Sequence, residues 1–304
     1  MGHSSWSNDA YKHLKHNYST KSTAQVFANR SIDKDMSPRG VQFRESRDSA
    51  EHPESLAIGV FLDETGSMGS IPEMLVRHKL GNLMNTLIDH GVPDAHVLFG
   101  GIGDQYSDSS PLQVGQFESG TDELNRWLTK IYLEGNGGGQ SMESYSLAWL
   151  FFARHTSIDC FEKRNQKGFL FTIGDEGVHK TLERDFLTDL LGYSFYEDIS
   201  TEQLLAEAQR MYHVFHLHVT ETSTGGSRVI IDGWRKLLQE RLIIVEDYNN
   251  IAEIIASTVA VVMGADLKKI VAAFDTTTAK QVSNALVKIN NGVTTGKQTG
   301  IVSL

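Results

Sequence analysis

Asp63, Thr65 and Ser67 set a carboxylate and two hydroxyls on alternate residues, directly after the apolar run LAIGVFL (56–62). All three are hard oxygen donors. Converging on one side of an extended turn, they suit Mg²⁺, Mn²⁺ or Ca²⁺ rather than a soft metal. No Cys or His stands in this loop, which argues against zinc. Two other apolar runs, AHVLFGGIGD (95–104) and GFLFTIGD (168–175), also end on acids, Asp104 and Asp175. One acid after a strand is commonly a helix cap. Three of them, with glycine-rich loops beside two, point to a shared edge, because open α/β sheets bind ligands outside the carboxyl ends of their strands.

The elements that must position these acids follow from periodicity. Apolar runs at 56–62, 95–104, 111–117, 168–175, 212–220 and 241–247 read as six strands. Helical patterns fall between them at 72–91, 121–134, 141–158, 181–191, 200–210, 228–239 and 251–264. One or two short helices follow in ADLKKIVAAF and TAKQVSNALVKI. This alternation predicts a Rossmann-like α/β domain, an open six-stranded, mostly parallel sheet with helices on both faces. PLQVGQF (111–117) follows its predecessor too closely for a crossover and is expected to be the one antiparallel edge strand. Three regions are expected. Residues 1–54 form an extension packing on the domain through Trp6, Tyr11, Leu14, Tyr18, Val26 and Phe27. Residues 55–265 form the domain, and 266–304 a helical extension ending in a loose tail.

Bulk properties narrow the function. A net charge of −10 over 304 residues argues against a nucleic-acid partner, since phosphate neutralisation needs a basic surface. A single cysteine, Cys160, forms no internal disulfide and is expected to be a buried helix residue in a reducing compartment. The N-terminus has no apolar signal segment, and the most apolar late stretch, 251–265, is too short to span a membrane and carries Glu253. The expectation is a cytoplasmic protein with no membrane partner.

Asp63-x-Thr65-x-Ser67 resembles the Asp-x-Ser-x-Ser loop of von Willebrand factor A domains, which build a metal-ion-dependent adhesion site. The resemblance continues in order over about residues 55–265. EGNGGGQSMES (134–144) stands where that family places its second metal loop, and FTIGDEG (171–177) where it places a strand-terminal Asp. The flanking HPESLAIGVFLDETGSM and GGGQSMESY are similar to an intracellular bacterial and phage branch, related to A-type domains found beside alpha-kinases. The resemblance implies Mg²⁺ (or Mn²⁺ or Ca²⁺) held by Asp63, Thr65, Ser67, Asp175 and a residue of the second loop. There the family Thr is absent, and Gln140, Ser141 or Glu143 stands in for it, with Glu143 expected as the ligand. Asp104, Gln140, Ser141, Met142 and Glu176 are expected to form the rim that meets a partner.

The function implied is cation-dependent protein–protein interaction, not catalysis. A partner protein would offer an Asp or Glu to the metal, within a multiprotein assembly or beside an AAA+ ATPase. Two alternatives stand: a metal-free scaffold, and a haloacid-dehalogenase-like phosphohydrolase with Asp63 as nucleophile. The second lacks an acid at position 65, where Thr stands, and an obvious phosphate-binding Lys. GGIGDQY has too few glycines for a dinucleotide loop. His216 and His218 share a strand face and are expected to be ordinary hydrogen-bonded histidines.

Overall fold

The computed structural model describes residues 4–64, 66–68, 70–135 and 141–294. The main sheet has six strands: β1 (Leu56–Asp63), β2 (Ala95–Ile102), β3 (Leu112–Val114), β4 (Gly168–Gly174), β5 (Tyr212–Val219) and β6 (Leu242–Val245). Their spatial order is β6-β5-β4-β1-β2-β3. Every pair is parallel except β2–β3, which is antiparallel. All six strands are where the apolar runs predict them, including the antiparallel edge. Strands covered on both faces read as unbroken apolar runs rather than alternating ones, and every residue of β1 and β2 is buried.

Helices pack on both faces. On one, Leu80–Asp89 lies against Ile251–Val262, tied by Lys79 and Asn82 to the buried Glu253 at 2.7 and 2.6 Å. On the other, Ser146–Arg154 lies against Thr201–Ala208. Gly59 opens room there: a Cβ on it would stand 2.3 Å from Phe152 Cζ. The helix after β1 contains a π-helical segment, Leu75–Lys79, between α-helical Ser70–Met74 and Leu80–Asp89. Among the described residues, no helix is long and apolar enough to cross a membrane.

Chain order and spatial order together locate the switch point. From β1 the chain moves to β2 on one side, and later returns to β4 on the other. Leu62 pairs with Ile173 and Asp63 with Ile102. Asp63 and Asp175 therefore leave neighbouring strands at the crevice where ligands of such sheets sit.

The first region holds more regular structure than its polarity suggests. Asn8–Tyr18 is a helix capped by Ser7, and Thr23–Val26 a short second one. Tyr11, Tyr18, Val26 and Phe27 are buried, and Trp6 and Leu14 pack against the core. Arg77, on the π segment, donates to the carbonyls of Tyr18 and Lys21. Arg44–Ser46 then pairs in parallel with Thr156–Ile158.

Just beyond that pairing, the buried Asp159 receives Arg47 at 2.8 Å, Lys163 at 2.6 Å and the Asp48 backbone N–H at 2.8 Å. Burial alone would raise its pKa, but Lys163, the Asp48 amide and Arg47 together outweigh that and hold it at about 2, below its ordinary 3.8. A carboxylate depressed in the folded state stabilises above its unfolded pKa and stops doing so as pH falls through the folded one. Asp159→Asn should therefore cost about 1–3 kcal/mol at pH 7. In urea melts, the gap to wild type should shrink between pH 4 and pH 2; a gap that stays constant over that window refutes the assignment.

Candidate metal centre

Asp63 ends β1 with 1% of its surface exposed, and one carboxylate oxygen, Oδ2, accepts the Tyr145 hydroxyl at 2.6 Å. Beyond it, Gly66–Met68 form a 3₁₀ turn, and a helix begins at Ser70. Of the two hydroxyl residues, Thr65 lies outside the described residues, and Ser67 sits on the 3₁₀ turn.

The second loop departs from the helix expected over 141–158. Met142–Glu143 is a short strand paired in parallel with Gly177–Val178, and the helix begins only at Ser146. Ser141 has φ +54°, and its carbonyl accepts the Gly177 N–H at 3.0 Å. The Glu143 carbonyl accepts the His179 N–H at 3.2 Å, and the Gly103 carbonyl accepts the Ser144 N–H at 3.3 Å. These bonds draw three loops, after β2, before the helix at 146 and after β4, into one rim.

Three of the expected ligands are thereby placed at one edge. Asp175 is fully buried and accepts from Thr224 Oγ1. Glu143 is 1% exposed, and among the described residues its Oε2 has no hydrogen-bond partner. Of the expected rim, Ser141 is exposed, Met142 and Glu176 are half-buried, and Gln140 lies outside the described residues. Asp104 is buried instead, and its carboxylate is occupied by His179 Nε2 at 2.7 Å and Ser107 Oγ at 3.1 Å.

The electrostatics are those of crowded carboxylates. Burial, then the charges of Asp63, Asp108, Glu176 and Asp104, push Glu143 far above the usual carboxylate range. The same causes, burial first and Asp63 next, raise Glu176 to about 7. Burial, reinforced by Asp108, Asp63 and Glu134, pushes Glu64 up, although Gln113 donates to it. Burial and the Asp63 charge hold the Tyr145 phenol well above its ordinary value, so it stays a donor. Like charges this close disfavour joint ionisation unless a cation offsets them.

The donor chemistry fits a hard divalent ion: buried Asp63 and Asp175 come from neighbouring strand ends, and Glu143, from the second loop, has an Oε2 with no partner among the described residues. Among the described residues, no group of three or more His, Cys, Asp or Glu side chains could hold a metal ion. An ion here therefore requires hydroxyl, backbone or water oxygens beside the acids.

No family model and no curated protein matches the chain. Among solved structures it is similar to two of the pilus adhesin SpaC from Lactobacillus rhamnosus GG, one of them in an open conformation. Identities are 12% and 11%, and TM-scores 0.43 and 0.41. Each alignment covers 70% of this chain and 31% or 32% of the adhesin, so the chain spans about a third of that protein's length.

Beneath the acids lies a layer that the sequence motifs do not mark. Tyr145 packs edge-on to His216 and Trp234, with ring centroids 4.9 and 5.5 Å away. His216 and Trp234 stack at 3.7 Å, and Trp234 Nε1 donates to the Glu176 carbonyl at 2.8 Å. His216 and His218 are buried histidines with one ordinary hydrogen bond each, to Thr172 Oγ1 and the Gly225 carbonyl. Burial pushes both pKa values down. Cys160 is buried in the short helix Asp159–Glu162.

A second polar trio sits at the opposite sheet edge. His52 lies 3.3 Å from Asp94 and 3.0 Å from Ser119, in the order of a hydrolase triad. Ser119 Oγ, however, donates to the Ser4 carbonyl at 2.6 Å, and that carbonyl stands 3.0 Å from His52 Nε2. The trio seats the N-terminal segment.

Proposed function

We propose that this chain is a divalent-cation-dependent protein-interaction module of the von Willebrand factor A type, acting inside the cell. The observation that carries the reading is Glu143, a buried carboxylate whose Oε2 has no partner among the described residues and which feels the charges of Asp63, Asp108 and Glu176 at the switch point of the sheet. Of Asp63, Asp175 and Glu143, at most two would touch Mg²⁺ or Mn²⁺ directly, with the Thr65 and Ser67 hydroxyls and water supplying the other oxygens. The ion, once bound, supplies a local positive charge that attracts an acidic group of a partner. The chain's own acids fix where that charge sits, and exposed Ser141 with half-buried Met142 and Glu176 frame the contact. An assembly partner such as an AAA+ ATPase belongs to the same reading, drawn from the family resemblance.

Asp63 supports binding rather than phosphoryl transfer: it is nearly inaccessible, and the Tyr145 hydroxyl occupies one of its oxygens. The test is retention of cellular partners on the immobilised full chain in Mg²⁺ and in EDTA, for wild type and Asp175→Ala. Partners should be retained by wild type in Mg²⁺ alone. Equal retention in all four arms would make the domain a metal-free scaffold.

A further inference from the structure

We propose that Tyr106, Tyr196 and Glu183 form a second contact surface, beside the acid rim, that takes an arginine side chain of a partner protein. The contact stands apart from the cation-binding reading above, since none of these three side chains is offered to the ion.

Tyr106 lies on the loop after β2 and is 54% exposed, yet it is held in place. Its hydroxyl donates to Glu183 Oε1 at 2.8 Å, and its ring stands edge-on to His179 with centroids 5.1 Å apart. His179 is itself held by the buried Asp104 at 2.7 Å. The preceding residue, Gln105, donates through its backbone N–H to Ser144 Oγ at 2.9 Å and through Nε2 to the Thr181 carbonyl at 3.1 Å. A single exposed ring is ordinary, but one already fixed in place loses little further freedom when a partner covers it. Glu183 also lines a recess of about 420 Å³ with Arg184, Asp185, Tyr196, Glu197 and Asp198. Tyr196 is 89% exposed there. Asp198 Oδ1 accepts the Arg184 N–H at 3.0 Å, which ties the start of the helix Arg184–Leu191 to the chain that returns past Tyr196.

Charge selects the occupant. The recess sets four carboxylates against the one guanidinium of Arg184, which Asp185 already pairs at 3.3 Å. The bond to Glu183, then burial and the charges of Glu183, Asp104 and Asp198, raise the Tyr106 pKa, so the phenol stays a neutral donor in a negative field. That field repels an acidic group and draws in a cation, which the face of a tyrosine ring also attracts. Arginine fits better than lysine. Its planar guanidinium stacks on a ring while its fork of N–H groups pairs with a carboxylate, and it sheds water more readily than an ammonium. Tyrosine and arginine are also the side chains that carry much of the energy of protein interfaces.

Fluorescence anisotropy of a labelled Gly-Arg repeat peptide, and of its Gly-Lys counterpart, tests this on the full chain in EDTA. Wild type should bind the Arg peptide about threefold more tightly than the Lys peptide. Tyr106→Ser changes no charge and should weaken the Arg peptide about fivefold, the scale of one exposed cation–π contact. Tyr196→Ser should act in the same direction, at a ring too exposed for the fold to depend on it. Glu183→Gln should weaken the peptide as well. Asp89→Asn makes an equal change of charge at the end of the helix Leu80–Asp89, ahead of β2 rather than after it, and should leave binding unchanged. Equal affinity for the two peptides, unchanged binding in both tyrosine variants, or an Asp89→Asn loss matching that of Glu183→Gln reduces the surface to bulk charge and overturns the proposal. So does a wild type that binds no Arg peptide. Because EDTA removes any ion, each of these outcomes leaves the cation-binding reading untouched.

Discussion

Mg²⁺ or Mn²⁺ at about a hundred times its dissociation constant should raise the melting temperature of the wild type, and Asp63→Asn should abolish that rise while melting higher than wild type in metal-free buffer. The two effects have opposite signs for one reason. A ligand that binds only the folded state at that excess stabilises it by about 2.7 kcal/mol, roughly 5 °C for a chain of this size. Without an ion, the Asp63 charge adds to burial in raising both Glu143 and Glu176. Asn at 63 keeps an acceptor for Tyr145 but removes that repulsion, a gain of about 0.5–2 kcal/mol, typical of a functional site relieved of its constraint. A carboxylate held for structure behaves otherwise: its loss lowers stability in every buffer. Differential scanning calorimetry in EDTA and in Mg²⁺ decides between them. An Asp63→Asn protein that melts well below wild type in EDTA, or that still responds to Mg²⁺, contradicts a cation site at this position.

The six strands were legible because strands buried on both faces carry their burial in their own composition, as in GFLFTIG and YHVFHLHV. The acids closing β1 and β4 were legible for the same reason, as the first polar residues after such runs. What escaped depends on contacts between distant residues. Met142–Glu143 is a strand only because Gly177–Val178 lies beside it, and nothing local in QSMES favours two extended residues over a helix. The helix from Thr121 stops at Lys130, short of the expected 134, where Gln113 Oε1 takes the Tyr132 N–H and Asn29 takes the Lys130 carbonyl. The helix Asn8–Tyr18 did leave a signal. Tyr11, Leu14 and Tyr18 keep helical spacing behind a Ser7 cap, but the polar surroundings obscured it. The contacts of Tyr145 left none: Gly174 and Asp63 meet it only in the fold.

Trp234→Ala should cost about 3–5 kcal/mol, the largest single-residue loss expected in the layer beneath the acids. In the helix Arg228–Leu238 only Trp234 and Leu238 are fully buried, while Ile230, Ile231 and Leu237 pack partly buried against the core, so Trp234 is its largest buried anchor. That ring is 1% exposed, stacks on His216 at 3.7 Å with an 11° tilt, and meets Tyr145 and Trp149 edge-on. Truncation opens a cavity against rigid strands, and relaxation into it is limited by packing on both sides. Trp234→Phe separates packing from tethering. It restores much of the ring but not the indole N–H that holds the Glu176 carbonyl, and should cost about 1–2 kcal/mol. Because Glu176 follows Asp175 directly, the Phe variant should also weaken Mg²⁺ binding measurably while remaining folded. Urea melts of both variants, with Mg²⁺ titrations of the Phe variant, separate the two contributions. A loss below 1 kcal/mol for Trp234→Ala would mean that this helix is held elsewhere, and unchanged Mg²⁺ affinity in Trp234→Phe would mean that the Asp175 loop keeps its shape without the indole.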